Sequence, residues 1–129
     1  MSLRTLGNVV KLMTQNSGQL ESLEYDIKYA LIRDYWAIIA ELFPKEWANE
    51  NKDYLMMRSA GLLSLAMLGA SLYNLLLFAN RVDEAQPRLA RLQKIIDWKK
   101  DGKLKGYNGL GGASIIFKKS LEPRVLLDK

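Results

Sequence analysis

Neither cysteine nor histidine occurs among the 129 residues, and these two gaps exclude more chemistry than any motif present suggests. Without cysteine there is no disulfide, no thiolate nucleophile and no thiolate metal ligand. Without histidine, acid-base catalysis near neutral pH would need a carboxylate or lysine with a strongly shifted pKa, and a metal would have to rest on carboxylates. Proline is scarce, with Pro44, Pro87 and Pro123 the three present, so long stretches are free to be helical. Arg4 follows Met1-Ser2-Leu3 directly and a mixed amphipathic pattern begins at once. That is not a basic-then-apolar secretory signal, and it predicts a cytoplasmic protein. The same opening also suits a piece of a longer chain.

What is there is a globular composition, 49% hydrophobic and 26% charged, with room for one domain, residues 1–129, and one core. The formal charge of +5 is unevenly spread. Up to Asp97 there are 11 basic and 11 acidic residues, whereas 98–129 holds eight basic against three acidic, so the excess lies in the last quarter. Such an asymmetry points to an anionic partner, to an acidic neighbouring domain, or to a solvated tail.

Between Arg58 and Arg81 run 22 residues without a charge, SAGLLSLAMLGASLYNLLLFAN. A bilayer core needs roughly 20 apolar residues, so the length permits a membrane span. The composition favours a buried helix in a soluble bundle instead. Ser59, Ser64, Ser71, Tyr73, Asn74 and Asn80 place polar groups along it, and its glycines and alanines suit close packing inside a protein.

Around this centre the periodicity predicts four further helices. Leu3, Leu6, Val9, Val10 and Met13 mark a short first one, ending at Asn16-Ser17-Gly18. The second carries two apolar stripes, one through Leu20, Leu23, Ile27, Leu31, Ile38 and Leu42, the other through Tyr25, Tyr29, Ile32, Trp36, Ile39 and Phe43. Pro44 should stop it near Leu42 and lead into a polar connection, 45–51, with Trp47 folded back as a plug. The central helix should start near Asn51 or Lys52, capped by Asn51 with Asp53 in its first turn, and run to Asn80. A kink at Gly61 or Gly69 is compatible with it. Asp83 can cap a fourth helix with Pro87 in its first turn and Leu89, Leu92, Ile95 and Ile96 inward. Five glycines in 102–112 predict a loop. Ser114 to Leu121 then reads as a short terminal helix closed by Pro123, although Ile115-Ile116-Phe117 is also β-prone. The fold expected is all-α, a bundle of four to five helices around a long apolar one.

Candidate chemistry concentrates in the basic end. Gly109, Gly111, Gly112 and Ser114 lead into a helix, where backbone N–H groups can converge on an anion. Lys99, Lys100, Lys103 and Lys105 lie just upstream and Lys118 and Lys119 downstream, which makes phosphate the ligand class. Tyr107 adds an aromatic for stacking on an unpaired base, while Trp98, three residues after Ile95, belongs with the core. The spacing matches neither phosphate-loop fingerprint, and the glycines can equally serve a tight loop near the helices. Glu21, Glu24, Asp26, Asp34 and Glu41 read as a solvated helix face, since no second acidic helix supplies a metal cage. No metal or cofactor is indicated.

The run DYWAIIAELFPKEWANENKDYLMMRSAGLLSLAMLGASLYNLL, with the later GYNGLGGAS, resembles the helical C-terminal half of the DGQHR-domain family, which includes proteins associated with DNA phosphorothioate modification. The DGQHR motif itself is absent, so any activity located around it does not carry over. The resemblance implies a soluble cytoplasmic protein linked to DNA modification, defence or its regulation. The sequence reading is a non-enzymatic helical accessory or regulatory domain. It would dock onto a protein partner or a second copy and contact nucleic-acid phosphate through the basic segment. A single-span membrane protein, or a helical fragment of an enzyme whose catalytic residues lie outside this chain, are the rivals.

Overall fold

The apolar run forms one uninterrupted α-helix, and the rest of the molecule is arranged around it. The computed structural model describes residues 3–48, 54, 56–99, 102, 104 and 106–126. Among these the regular structure is helical, apart from one antiparallel bridge between Tyr54 and Lys99. In chain order the α-helices are α1 (Leu3–Gln15), α2 (Gly18–Glu21), α3 (Tyr25–Leu42), α4 (Pro44–Ala48), α5 (Ser59–Phe78), α6 (Ala85–Ala90), α7 (Gly109–Ile116) and α8 (Glu122–Val125). The fold is all-α with α5 at its centre.

Helix α5 buries Leu62, Leu65, Leu68, Leu72 and Leu76, each at most 2% exposed, together with Ala60, Ala66, Ala70 and Tyr73. Its length and apolar content would also suit a membrane crossing, but here most of its surface is interior, packed by α1, α2, α7 and the turn that follows α7. The polar residues within it are used structurally. Ser64 Oγ donates to the Gly61 carbonyl at 2.7 Å, and Asn74 Oδ1 accepts from Ser17 Oγ at 3.4 Å and from the Gln19 N–H at 3.1 Å, pinning α2. At its end Asn80 adopts φ 56, and bonds from Arg81 N–H to Leu76 O and Asn80 N–H to Leu77 O close a Schellman turn.

The start of α5 differs from the expected one. Asn51, Lys52 and Asp53 lie outside the described residues, but Tyr54 pairs with Lys99 and Met56 to Arg58 are non-helical, so the helix opens at Ser59. Pairing with Lys99 takes the Tyr54 backbone out of any helix that could run into α5.

Nor is the second expected helix continuous. Ser17 Oγ accepts from the Leu20 N–H at 3.2 Å and caps the single turn α2. The chain then breaks at Ser22 to Glu24, and α3 starts at Tyr25. The break lets Leu20 be fully buried under α2 while α3 follows its own line, with Ile32, Tyr35, Trp36, Ile39 and Leu42 inward. Pro44 does end α3, as the sequence indicates, but 44–48 forms the short α4 rather than an open connection, because proline suits a first helical position. Trp47 is half-buried, its ring 6.2 Å from that of Trp36.

The fourth expected helix is split into a 3-10 turn (Val82–Glu84), α6 and a second 3-10 turn (Arg91–Lys94). Asp83 lies inside the first turn and does not cap a helix. Leu89 and Leu92 are buried, but Ile95 is 46% exposed, because the last turn tightens and the backbone leaves helical geometry there. Arg88, 2% exposed, donates to Glu84 Oε1 at 3.2 Å and to the carbonyls of Val125 at 3.2 Å and Leu126 at 3.3 Å. It thereby caps the end of α8, where helix carbonyls otherwise lack partners.

The glycine-rich stretch is the largest departure. Gly109 to Gly112 form the first turn of α7 rather than a loop, and the terminal helix starts five residues before Ser114. Gly112 is needed for closeness, since a Cβ there would lie 2.8 Å from the Tyr107 carbonyl carbon. Ile115 turns outward, while Ile116 and Leu121 are buried. Pro123 does not close the helix. A π turn over Phe117–Leu121 intervenes, and Pro123 falls in the first turn of α8, where its missing N–H and its ring are tolerated.

Candidate docking groove and the basic segment

Helix α1 packs along α5, whereas α3 packs on α6 and reaches α5 through Tyr35, whose hydroxyl donates to the Leu65 carbonyl. Between α1 and α3 themselves there is little direct packing, and a groove opens to solvent. One part, about 480 Å³, is lined by Leu6, Val10, Tyr29, Ile32, Arg33, Trp36 and Trp47. A second part, about 470 Å³, shares Leu6, Val10 and Tyr29 and adds Gly7, Lys11 and Thr14. The apolar surface extends beyond the groove. Leu6 is 44% exposed, Tyr29 39% and Tyr25 71%, and the Tyr25 and Tyr29 rings lie 4.4 Å apart.

Two of the groove rings have fixed placements. Trp36 is held between Tyr35, edge-on at 5.2 Å, and Trp47, so Trp36 and Trp47 form a rigid end wall. The Trp36 Nε1 is buried without an acceptor among the described residues, which costs free energy the apolar contacts of the ring must offset. Among the described residues, the charges lining the groove are Lys11 on α1 and Arg33 on α3, both basic and both exposed.

Of Lys99, Lys100, Lys103 and Lys105 in the basic segment, the structure describes Lys99. Lys100, Lys103 and Lys105 lie outside the described residues. Lys99 is exposed and fixed at its backbone, its N–H donating to Asp97 Oδ1 at 3.0 Å and its carbonyl accepting from Gly102 at 2.9 Å. Tyr107 is not a free stacking ring but half-buried against the core. Gly109 opens α7 with φ +61. Gly111 is exposed with open space around it, Gly112 is buried and Ser114 half-buried, and all four lie at or just after the start of α7. Lys119, Ser120 and Arg124 do converge, with Asp97, Ile95, Ile96 and Leu104, on a pocket of about 160 Å³. Sequence reading missed this cluster because the π turn, and not sequence spacing, sets which side chains share a face.

For acid-base or metal chemistry the described residues offer no group of three or more carboxylates. The Tyr35 hydroxyl is held well above its ordinary range by burial and then by Tyr73. The Tyr73 hydroxyl is pushed up to about 12 by burial and then by Asp34. Both are neutral core groups. Glu84 is lowered, first by its hydrogen bond to Arg81 and also by Arg88, as a structural ion-pair member. Comparison with protein-family models, with curated proteins and with solved structures finds no match.

Proposed function

We propose that this chain is a non-enzymatic helical accessory domain that docks onto a protein partner through the α1/α3 groove. The observation that carries this reading is the groove itself, an open apolar channel walled by Leu6, Tyr29, Trp36 and Trp47, with exposed Tyr25 against Tyr29. Contiguous exposed apolar surface on a small domain marks interaction sites, and Trp, Tyr and Arg are the residues that dominate binding energy at them. The lack of cysteine and histidine supports a role in binding rather than catalysis. Resemblance to the DGQHR-domain family supports a cytoplasmic setting linked to DNA modification or defence.

Binding of a hydrophobic dye to the native protein tests the reading. Leu6→Glu with Tyr29→Glu is expected to abolish the dye signal and leave the helical circular dichroism and thermal transition in place. Native protein that binds no dye would remove the docking surface.

A second reading, contact with nucleic-acid phosphate, is favoured by the convergence of Lys119, Ser120 and Arg124 beside exposed Lys99 and Lys118. Binding of this kind would be sequence-tolerant and fall with salt by a slope of about −0.9 per phosphate contact on duplex DNA. Replacing Lys119 and Arg124, or Lys103 and Lys105, with Glu should weaken it. Anisotropy titrations showing no binding at tens of micromolar protein in low salt would exclude it.

A further inference from the structure

We infer that the occupant of the α1/α3 groove is an amphipathic helix of a protein partner, two to three turns long, with acidic residues along both flanks of its apolar face. This rests on the docking reading above and specifies the partner.

Length comes from the walls. On α1 the lining runs from Leu6 to Thr14 and on α3 from Tyr29 to Trp36, with Trp47 extending one end. At 1.5 Å per residue these walls are about 10 to 12 Å long, and the Trp47 wall adds part of a further turn. Apolar side chains at i, i+3 or i+4, and i+7 of a partner helix cover that distance.

A helix fits better than an extended segment for a chemical reason. Both walls are helices whose backbone groups are already paired internally, and their lining is apolar. An extended peptide laid there would bury N–H and C=O groups with nothing to bond, whereas a helix brings its own satisfied backbone. Gly7 adds a point of close approach. A Cβ built on it meets nothing within 4 Å, so the floor of the groove is open at that residue.

Charge decides the flanks. Among the described residues, Lys11 on one wall and Arg33 on the other are the charged residues that line the groove, and α1 carries Arg4 and Lys11 with no acidic residue. Arg33 lies 3.7 Å from its neighbour Asp34, in a pair whose side chains are 77% and 60% exposed, and such pairs hold little energy. A partner with carboxylates on both sides of its apolar stripe complements both walls. A second copy of this chain complements them poorly. A two-fold contact would bring the same patch against itself and set Lys11 and Arg33 against their own kind.

The experiment uses two labelled helical peptides of about 20 residues, identical in their leucine stripe, one flanked by Glu and the other by Lys, titrated with the full chain by anisotropy. The Glu-flanked peptide is expected to bind about tenfold tighter than the Lys-flanked one, a gap that narrows in high salt. Gly7→Leu is expected to abolish binding by filling the floor while the thermal transition stays or rises. Lys11→Glu with Arg33→Glu is expected to reverse the preference. Equal binding of both peptides, still blocked by Gly7→Leu, would overturn the acidic-helix assignment and leave docking intact. A concentration-dependent dimer in light scattering that Gly7→Leu dissolves would give the groove to a second copy and overturn the inference likewise. Absence of both peptide and dye binding would overturn docking itself.

Discussion

Replacing Gly69 with alanine tests the packing on which the architecture depends, because two opposing effects of known size meet at that atom. In a helix interior, glycine to alanine normally stabilises by about 0.8 to 1 kcal/mol. A Cβ on Gly69, however, would lie 2.7 Å from Met13 Cε, 2.9 Å from Tyr35 Cε2 and 3.0 Å from Tyr35 Cζ. Gly69 is therefore the place where Met13 from α1 and Tyr35 from α3 cross the surface of α5. Met13 is fully buried, and Tyr35 is held edge-on by Trp36 at 5.2 Å and by Tyr73 at 6.0 Å while bonded to Leu65. The Met13 methyl ends a flexible side chain and can shift, but the Tyr35 ring does not yield freely. Overpacking of this kind costs about 1 to 3 kcal/mol, and a strained Tyr35 hydrogen bond adds about 1 kcal/mol. After the propensity gain the net loss is about 1 to 3 kcal/mol. Gly7→Ala is the control, since its Cβ meets nothing. It should gain about 0.5 to 1 kcal/mol. Urea unfolding at equilibrium, with slopes compared to confirm a shared unfolded state, reads both. Met13→Ala should return part of the loss in the Gly69→Ala background, as expected for coupled neighbours. A Gly69→Ala protein as stable as the parent, or more so, would refute the crossing.

Three further outcomes are expected. Leu68→Ala, at a fully buried position on α5, should cost about 2 to 5 kcal/mol in the same unfolding assay; a loss under about 1 kcal/mol would count against a packed core there. Arg88→Met leaves the Val125 and Leu126 carbonyls without their donor and should cost about 1 to 3 kcal/mol, with hydrogen exchange rising first in 122–126; uniform exchange across the chain would count against a local lock. Tyr73 is pushed up to about 12 in the folded state from 10.0, so the unfolded chain releases its proton first; stability is intact below pH 10 and should fall between 10 and about 12, and Tyr73→Phe should flatten that fall.

The central helix and its neighbours were legible because a long uncharged run and a 3.6-residue period are local signals. Trp98 is buried as expected, but not through its spacing to Ile95, which is itself 46% exposed and past the end of the helical turn. Pro44 also marked the turn after α3. Three things were not legible, each because a distant contact decides it. The Tyr54–Lys99 bridge sets where α5 starts. The approach of Gly112 to Tyr107 lets glycine sit in a helix. The break at Ser22 to Glu24 carries neither glycine nor proline and interrupts a stripe that reads straight through. Of the groove, the aromatic wall on α3 was visible as a surplus apolar stripe. That α1 forms the other wall needed the positions of both helices on α5. The basic cluster was expected in the glycine loop, whereas the described cations that converge are Lys119 and Arg124.

The π turn over Phe117–Leu121 also acts as a phase corrector for the last helix. Ala113, Phe117, Leu121 and Val125 are all buried and lie four residues apart. An α-helix of 3.6 residues per turn would rotate such a series by about 40° at each step, carrying Val125 about 120° away from Ala113. A π turn, at about 4.4 residues per turn, rotates the other way and holds the series on one side. The five widened residues thus behave as one inserted residue that keeps two helical segments in register with α5. Deleting a single residue there would restore regular winding and leave Val125 on the core side, about 20° from Ala113, whereas closing the turn to regular winding with no deletion would swing Val125 about 120° out of the core, and the carbonyls that Arg88 caps would turn away with it.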